Sequence, residues 1–511
     1  MKLLKRILCL SLCVLMLLPC LVACRGGEEE PVESASETEA PADVASETVS
    51  EEPTESQRVF QTDENGYVKD ELPDTTYGGK EINIVGWKGN EAWTLPKDSG
   101  DGNVQIYSKI YYHKMAVEAR LDVQFKVNYI TSHGNGGMQP DIVQELTTLV
   151  SAGTDAYDLV QGYSLYPAVL AREGLLYNIN NLQYPDLEMP WWPEEITNWQ
   201  QYGGLYFVAN NSSAIGLRSM FVMFSNTEMI TGAGLTDPVD LVLDGSWTID
   251  KMMEYAKAFH GDAVAKPGEA YGFVVDDFSR MDAFYYGAGF KTTVNNADGS
   301  TSMTWSDASY RERVETYLEP LVEFFKLPEV EIAQNTVALM KDKKTALMSA
   351  SMSSTSSLTD NTYAVIPIPK LDEESDYYTM RNNGYDMWCI PKTSTQPELA
   401  GIVLEAISSS EYRNIAPFYF ETVLKDRYSQ SAKGAQVFDV IRASVTYDFG
   451  RVCQYAFTKG TIEGIWRGNF QTNRLKDPKN ILESSWASKG ENMEIELMEI
   501  QADFRNNTRA D

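Results

Sequence analysis

The sequence predicts an α/β fold that begins with a mostly parallel sheet, and three observations carry that prediction. Between Glu81 and Gly174, apolar segments of strand character alternate with segments of helical period, in the order strand, helix, strand, helix, strand, helix. The body from about Arg58 to Asp511 is long for one simple domain, so two or three domains or lobes are expected to share it. No internal repeat of the kind that builds solenoids or propellers is evident along it.

The elements follow in order. Tyr77–Lys80 reads as a turn into the strand Glu81–Trp87 (EINIVGW), which delivers Trp87 at its end. Ile106–Leu121 is helical in pattern, and Val123–Tyr129 alternates as a second strand. Asp141–Val150 has helical periodicity. Tyr157–Gln161 is a short apolar strand followed by Gly162 and Tyr163, and Pro167–Arg172 opens a helix that Gly174 stops. In sheets of this sort ligands sit beyond the carboxyl ends of the strands. Trp87 and Tyr163 fall at two such ends, and an ordinary core aromatic is the alternative for each.

Tyr184–Trp192 (YPDLEMPWW) reads as an irregular approach to a second lobe. Gly203–Asn210 and Ser219–Asn226 are expected to form a strand pair. Trp247–Phe259 is expected to be a helix with Thr248 at its cap. Tyr271–Val275 reads as a strand leading to Asp276 and Asp277, and Tyr310–Phe325 as a helix with a break at Pro320. Thr345–Met348 reads as a short strand, and the serine-rich Ser349–Ser357 as a helix start exposing hydroxyls. Tyr363–Pro369 is a strand and turn, Tyr377–Ile390 returns through an Asn383-Gly384 turn to a strand, and Glu398–Ile407 is a helix. The tail is expected to alternate helices and turns through Asn469 and to end polar.

The N-terminus is of a different kind. Lys2, Lys5 and Arg6 precede an apolar run from Ile7 to Leu18 broken by Ser11, the pattern of a secretory signal. Leu21-Val22-Ala23-Cys24 then resembles a bacterial lipobox. Residues 1–23 are thus expected to be a signal peptide, and Cys24 to carry the lipid that anchors the chain to a membrane. The apolar run is shorter than the about 20 residues a membrane span needs. Glu28–Gln57 holds eleven acidic residues and no basic one, so residues 24–57 read as the lipidated cysteine and a disordered acidic tether.

The formal net charge is -30, and the tether supplies only part of it. An acidic body repels a phosphate backbone, so nucleic acid is excluded as a partner. Beyond Cys24 and the signal peptide only Cys389 and Cys453 remain, too few for a disulfide framework. His113, His133 and His260 are scattered with no metal-ligand spacing, and no nucleophile elbow or phosphate-binding glycine loop occurs. The chain is therefore read as a binding protein, not an enzyme, with no cofactor or metal. The alternatives are a cell-surface glycoside hydrolase or lyase, which needs only two carboxylates in an aromatic cleft, and a ligand-sensing lipoprotein without a transporter.

Taken in order, several segments resemble the sugar-type (family 1) extracellular solute-binding proteins of ABC importers. They are the lipobox, the acidic tether, strand Glu81–Trp87, Tyr157–Leu182, GGLYFVAN at Gly203–Asn210, SWTIDKMMEYAKAF at Ser246–Phe259, KKTALM at Lys343–Met348, YAVIPIPK at Tyr363–Lys370 and Cys389–Ile407. The resemblance implies a two-lobed, periplasmic-binding-protein-like fold of type II, with lobes joined by crossing strands around a ligand cleft. Lobe 1 would hold residues 76–190 and 384–430, and lobe 2 residues 191–383 and 431–511. It implies a monomer on the extracellular face of the cell membrane that hands its solute to ABC transporter permease subunits. One departure stands out: sugar binders of this family often place a glycine and a tryptophan after the KKTALM-like strand, and Ser349–Ser357 has neither.

A carbohydrate, and in a body of this size an oligosaccharide, needs flat rings against its apolar faces and polar groups around its rim. Trp87, Tyr163, Tyr286, Tyr385 and Trp388 are the candidate platforms, with Asp277, Asn383 and Asp386 for the rim. Trp388 is expected to face the cleft from its position at a lobe crossing.

Overall fold

Residues 58–100, 105–132, 141–197, 199–259, 270–276, 278–358, 362–425, 432–470 and 481–510 are described by the computed structural model. The expected signal peptide, Cys24, the expected tether, Asp277, His133 and His260 lie outside the described residues. The first alternating run builds β1 (Lys80–Trp87), α1 (Gln105–Leu121), β2 (Val123–Ile130), α2 (Asp141–Ser151), β3 (Leu159–Tyr163) and α3 (Pro167–Arg172). β1 pairs in parallel with β2 from Lys80↔Val123 to Trp87↔Ile130, and with β3 at Ile84↔Leu159. Ile82, Ile84 and Val85 are fully buried, as expected of a parallel strand covered on both faces. Ile106, Ile110, His113, Val117 and Leu121 form the buried stripe of α1, at the three- and four-residue spacing of one helix face. Gly86 has a steric reason: a Cβ there would stand 2.6 Å from Cγ1 of Val127.

The second sheet is built from α4 (Ala214–Arg218) and β4 (Phe221–Asn226), α5 (Ile249–Lys257), β5 (Tyr271–Val275), α6 (Ala308–Phe324), β6 (Val330–Ile332), β7 (Thr345–Ser351) and β8 (Tyr363–Ile366). Its strand order is β8-β4-β7-β5-β6. β5 is parallel to both β7 and β6, whereas β4 is antiparallel to β7 and β8. The chain then returns to the first sheet as β9 (Asp386–Cys389), antiparallel to β3 with Asp386 opposite Tyr163. It continues into α7 (Pro397–Ser410) and ends in α8 (Ile481–Ala510).

Three expectations are corrected here. Gly203–Asn210 is not a strand paired with Ser219–Asn226; it meets the returning chain through a single bridge, Val208↔Trp388, while β4 pairs with β7 and β8. Pro320 does not break α6. Its buried face (Val314, Tyr317, Leu318, Leu321) holds the helix together, and Pro320 stands on the exposed side. Ser349–Ser351 extends β7 because Ser351 pairs with Phe221 of β4, and a short 3-10 turn follows at Met352–Ser356. The tail alternates helices and turns as expected through Asn469, and a 30-residue helix, α8, ends it. Met493, Leu497, Ile500 and Phe504 are buried along one side of it. Arg172 reaches Glu496 at 3.4 Å, and Glu499 and Asp503 at 3.2 Å each. Gly174 adopts φ +71°, and a Cβ on it would meet Asn507 of α8 at 2.8 Å.

α7 lies against α1, where His113 Nδ1 and Ser410 Oγ are 2.7 Å apart. Burial, with Lys109 and Arg413 adding to it, pushes the His113 imidazole down to about 3 from 6.5. One face of α7 buries Glu405, which accepts from Trp192 Nε1 at 3.1 Å and from the Asp186 amide at 3.3 Å. Burial pushes its carboxyl up to about 8 from 4.5. In that window the folded chain binds more protons than the unfolded one. Glu405 therefore favours folding most below pH 4.5, and this contribution is lost as the pH rises to about 8. The slope is up to ~1.4 kcal/mol per pH unit. Glu405→Gln is expected to flatten this decline in denaturant titrations. His113 has the opposite sign: the unfolded chain takes up the proton first, so stability falls as the pH drops from 6.5 towards 3. Glu405→Gln is expected to leave that acid limb unchanged.

Both remaining cysteines, Cys389 and Cys453, are buried and free. Among the described residues no helix is long and apolar enough to cross a membrane.

Candidate ligand site

Strand ends position the first wall of the site. Trp87 closes β1 and Tyr163 closes β3, and their rings meet edge to face at 5.6 Å. The chain turns after β3, so Tyr166, three residues on, falls back against Tyr163 at 5.9 Å. The fourth ring comes from far along the sequence: Tyr455 lies 5.2 Å from Tyr166 and 6.5 Å from Tyr163. Trp87 and Tyr163 are 5% and 8% exposed, whereas Tyr455 is 44% exposed and presents the open face of the patch. Behind it, the Tyr163 amide donates to Ser132 Oγ at 3.0 Å. Gly162 leaves no room for a side chain, since a Cβ would lie 3.2 Å from that of Ser132. Burial pushes the Tyr163 phenol up, Tyr455 adds to this, and Arg451 opposes it.

Beside this patch the returning chain crosses the outgoing one. Ser164 Oγ donates to the Asn383 carbonyl at 2.8 Å, which sets Asn383 one residue beyond the end of β3. Its Oδ1 is buried and finds no hydrogen-bond donor among the described residues. Asp386 is buried and accepts from Ser213 Oγ at 2.6 Å and Gln161 Nε2 at 2.7 Å, tying the crossing to β3. Burial pushes its carboxyl above the usual carboxylate range, against the pull of those two hydrogen bonds. Arg381 is fully buried and donates to the carbonyls of Asn210 and Asn211 at 3.0 and 3.1 Å.

A buried charged cluster lies near this patch, with Arg451 and Arg467 acting on Tyr163. Asp282 is fully buried and accepts from Arg451 Nη1 and Arg467 Nε at 2.8 Å each. The Arg451 guanidinium lies 5.1 Å from the Tyr286 ring and 5.9 Å from the Phe221 ring, at the start of β4. Arg280 lies on the same Phe221 ring at 5.9 Å and pairs with Asp276, just past the end of β5, at 2.9 Å. Among the described residues no metal-binding group of three or more His, Cys, Asp or Glu side chains forms.

Of the residues singled out from sequence, Trp87 and Tyr163 are brought together, with Asn383 beside them. Tyr385 and Asp386 lie behind these in the buried crossing. Tyr286 is buried with its hydroxyl donating to Glu463 at 2.8 Å, and Trp388 is wholly buried between β3 and Val208. Asp277 is outside the described residues. Sequence reasoning missed Tyr166 and Tyr455. The position of Tyr166, just past a strand end, was a readable signal. Tyr455 had none, because only the return of the C-terminal chain brings it there.

Two α/β sheets joined by crossing segments, with an aromatic patch at the carboxyl edge of the first, define a two-lobed ligand-binding protein of the periplasmic-binding-protein-like class. The chain belongs to the family of bacterial extracellular solute-binding proteins, whose model matches residues 108–413, more than half of its length. Among solved structures it is similar to the sugar-binding protein MalE from Xanthomonas citri, with a TM-score of 0.55 at 12% identity, covering 83% of this chain and 99% of that one. It is similar also to the cyclic α-maltosyl-1,6-maltose binding protein from Arthrobacter globiformis, with a TM-score of 0.54 at 12% identity over 84% and 100% of the two chains. A third is a cyclo/maltodextrin-binding protein complexed with maltotetraose, with a TM-score of 0.51 at 14% identity over 80% and 97%. At such identities the likeness is one of fold. No curated protein matches the chain.

Proposed function

We propose that this chain is the carbohydrate receptor of an ABC importer, capturing an oligosaccharide between its lobes and delivering it to permease subunits. The observation that carries this reading is the patch of Trp87, Tyr163, Tyr166 and Tyr455 at the carboxyl ends of β1 and β3. Flat rings cover the apolar faces of a sugar at low entropic cost, and the buried Asn383 Oδ1 offers an acceptor to a rim hydroxyl. Family membership supports the extracytoplasmic setting. On this reading Cys24 carries the lipid, residues 24–57 are the tether, and the receptor works as a monomer at the outer face of the cell membrane. Lobe 1 comprises residues 76–190 and 384–430, and lobe 2 residues 191–383 and 431–511. The place of β9 in the first sheet supports that division, while α8 contacts both Arg172 and Thr301. A ligand favours closure to the extent that it binds the closed form more tightly than the open one.

Thermal unfolding of the chain against a panel of mono- and oligosaccharides, then peptides, tests this. A saturable rise with one glycan class, with the glycan recovered intact, is the expected result. A glycan recovered cleaved would move the protein to the hydrolases, and a rise only with peptides would overturn the substrate class. Tyr455→Ala is expected to weaken glycan binding about tenfold, ~1.4 kcal/mol, with the unfolding midpoint of the free protein unchanged because the ring is substantially exposed. Titration calorimetry reads the difference.

A further inference from the structure

A cavity of about 670 Å³ opens between α5, α6 and the segment at Leu371 and Asp372. Its floor is apolar, formed by Ile249, Met253, Phe290, Tyr317 and Leu321, all buried. Its rim is acidic: Asp250, Glu312 and Asp372 outnumber Arg313, whose guanidinium lies 5.6 Å over the Tyr310 ring. Thr316 and Pro320 also line it. Pro320 has no N–H, so the Thr316 carbonyl, one turn back, lacks its usual intrahelical donor and adds an acceptor along the same wall. The volume suits a small molecule. Three carboxylates and a carbonyl above an apolar floor select a ligand that donates hydrogen bonds, carries positive charge and has an apolar body.

We propose that this cavity is a second ligand site, specific for a small organic cation, an ammonium or guanidinium on an aromatic or aliphatic body. It shares no residue with the aromatic patch, so it stands independently of the carbohydrate reading. Titration calorimetry of the full chain with tryptamine, with indole-3-ethanol as the neutral analogue and indole-3-acetate as the anionic one, tests it. Tryptamine is expected to bind saturably at one site, and indole-3-acetate more weakly by about tenfold or more. Glu312→Gln and Asp250→Asn are each expected to weaken tryptamine by about threefold or more. Thr316→Trp, an exposed helix position, is expected to fill the cavity and abolish binding. Absence of saturable tryptamine binding overturns the proposal. So does equal affinity for the amine and the acid, or undiminished binding in Glu312→Gln and Asp250→Asn. These two surface-charge variants keep the test decisive should Thr316→Trp fail to fold.

Discussion

Asp282→Ala is expected to remove about 3–5 kcal/mol of stability, a large share of the about 5–15 kcal/mol that holds a typical protein folded. Asp282 is fully buried, with Arg451 Nη1 and Arg467 Nε at 2.8 Å each. Both guanidiniums donate to its Oδ2, and Arg467 also donates to its Oδ1. The Arg451 side chain is buried and that of Arg467 is only 25% exposed, so deleting the anion leaves two like charges with little water around them. The cost comes from the uncompensated cations more than from the worth of the pair itself. For the same reason, Asp282→Leu combined with Arg451→Met should recover part of the loss, because apolar groups of similar volume need no partner. Urea unfolding midpoints read both. A loss below about 1 kcal/mol in the single variant would show that water reaches the arginines and that the cluster behaves as a surface ion pair.

Trp388→Ala is expected to cost about 3–5 kcal/mol. The ring is 0% exposed, sits on β9 opposite Gln161 of β3, and its backbone exchanges two hydrogen bonds with Val208, at 2.8 and 2.9 Å. Truncation leaves a cavity where the outgoing and returning chains cross. Weaker ligand binding would then accompany a lower unfolding midpoint. A Trp388→Ala protein as stable as the parent, yet binding more weakly, would place the ring on the ligand instead and overturn the packing role.

The first sheet was largely legible because its signals are local. Each strand of the run Glu81–Gly174 is a short apolar stretch bounded by turns, and each helix repeats on its own face, so burial on the sheet coincides with pattern in the sequence. Trp87 and Tyr163 could be placed for the same reason: a strand end is a local feature, and the carboxyl edge of a parallel sheet is where ligands collect. Thr248 was readable as a cap, and its Oγ1 accepts from the Lys251 amide at 3.3 Å. The Pro320 break and the end of the Thr345 strand were misjudged, because local propensity was outweighed by packing of α6 and by pairing of Ser351 with Phe221.

What the sequence by itself determined is the α/β class, the order of the elements in the first sheet, the acidic character of the chain and two rings of the aromatic patch. Only the tertiary structure decided that Tyr455 completes that patch, that Asp282 lies between Arg451 and Arg467, and that Trp388 and Tyr286 are interior. It also decided that the last 30-residue helix anchors on Arg172. The physical reason is one of range. Periodicity and capping report how a segment meets whatever covers it, but not which distant segment does the covering. Whether a tyrosine is a platform or a core ring depends on that partner.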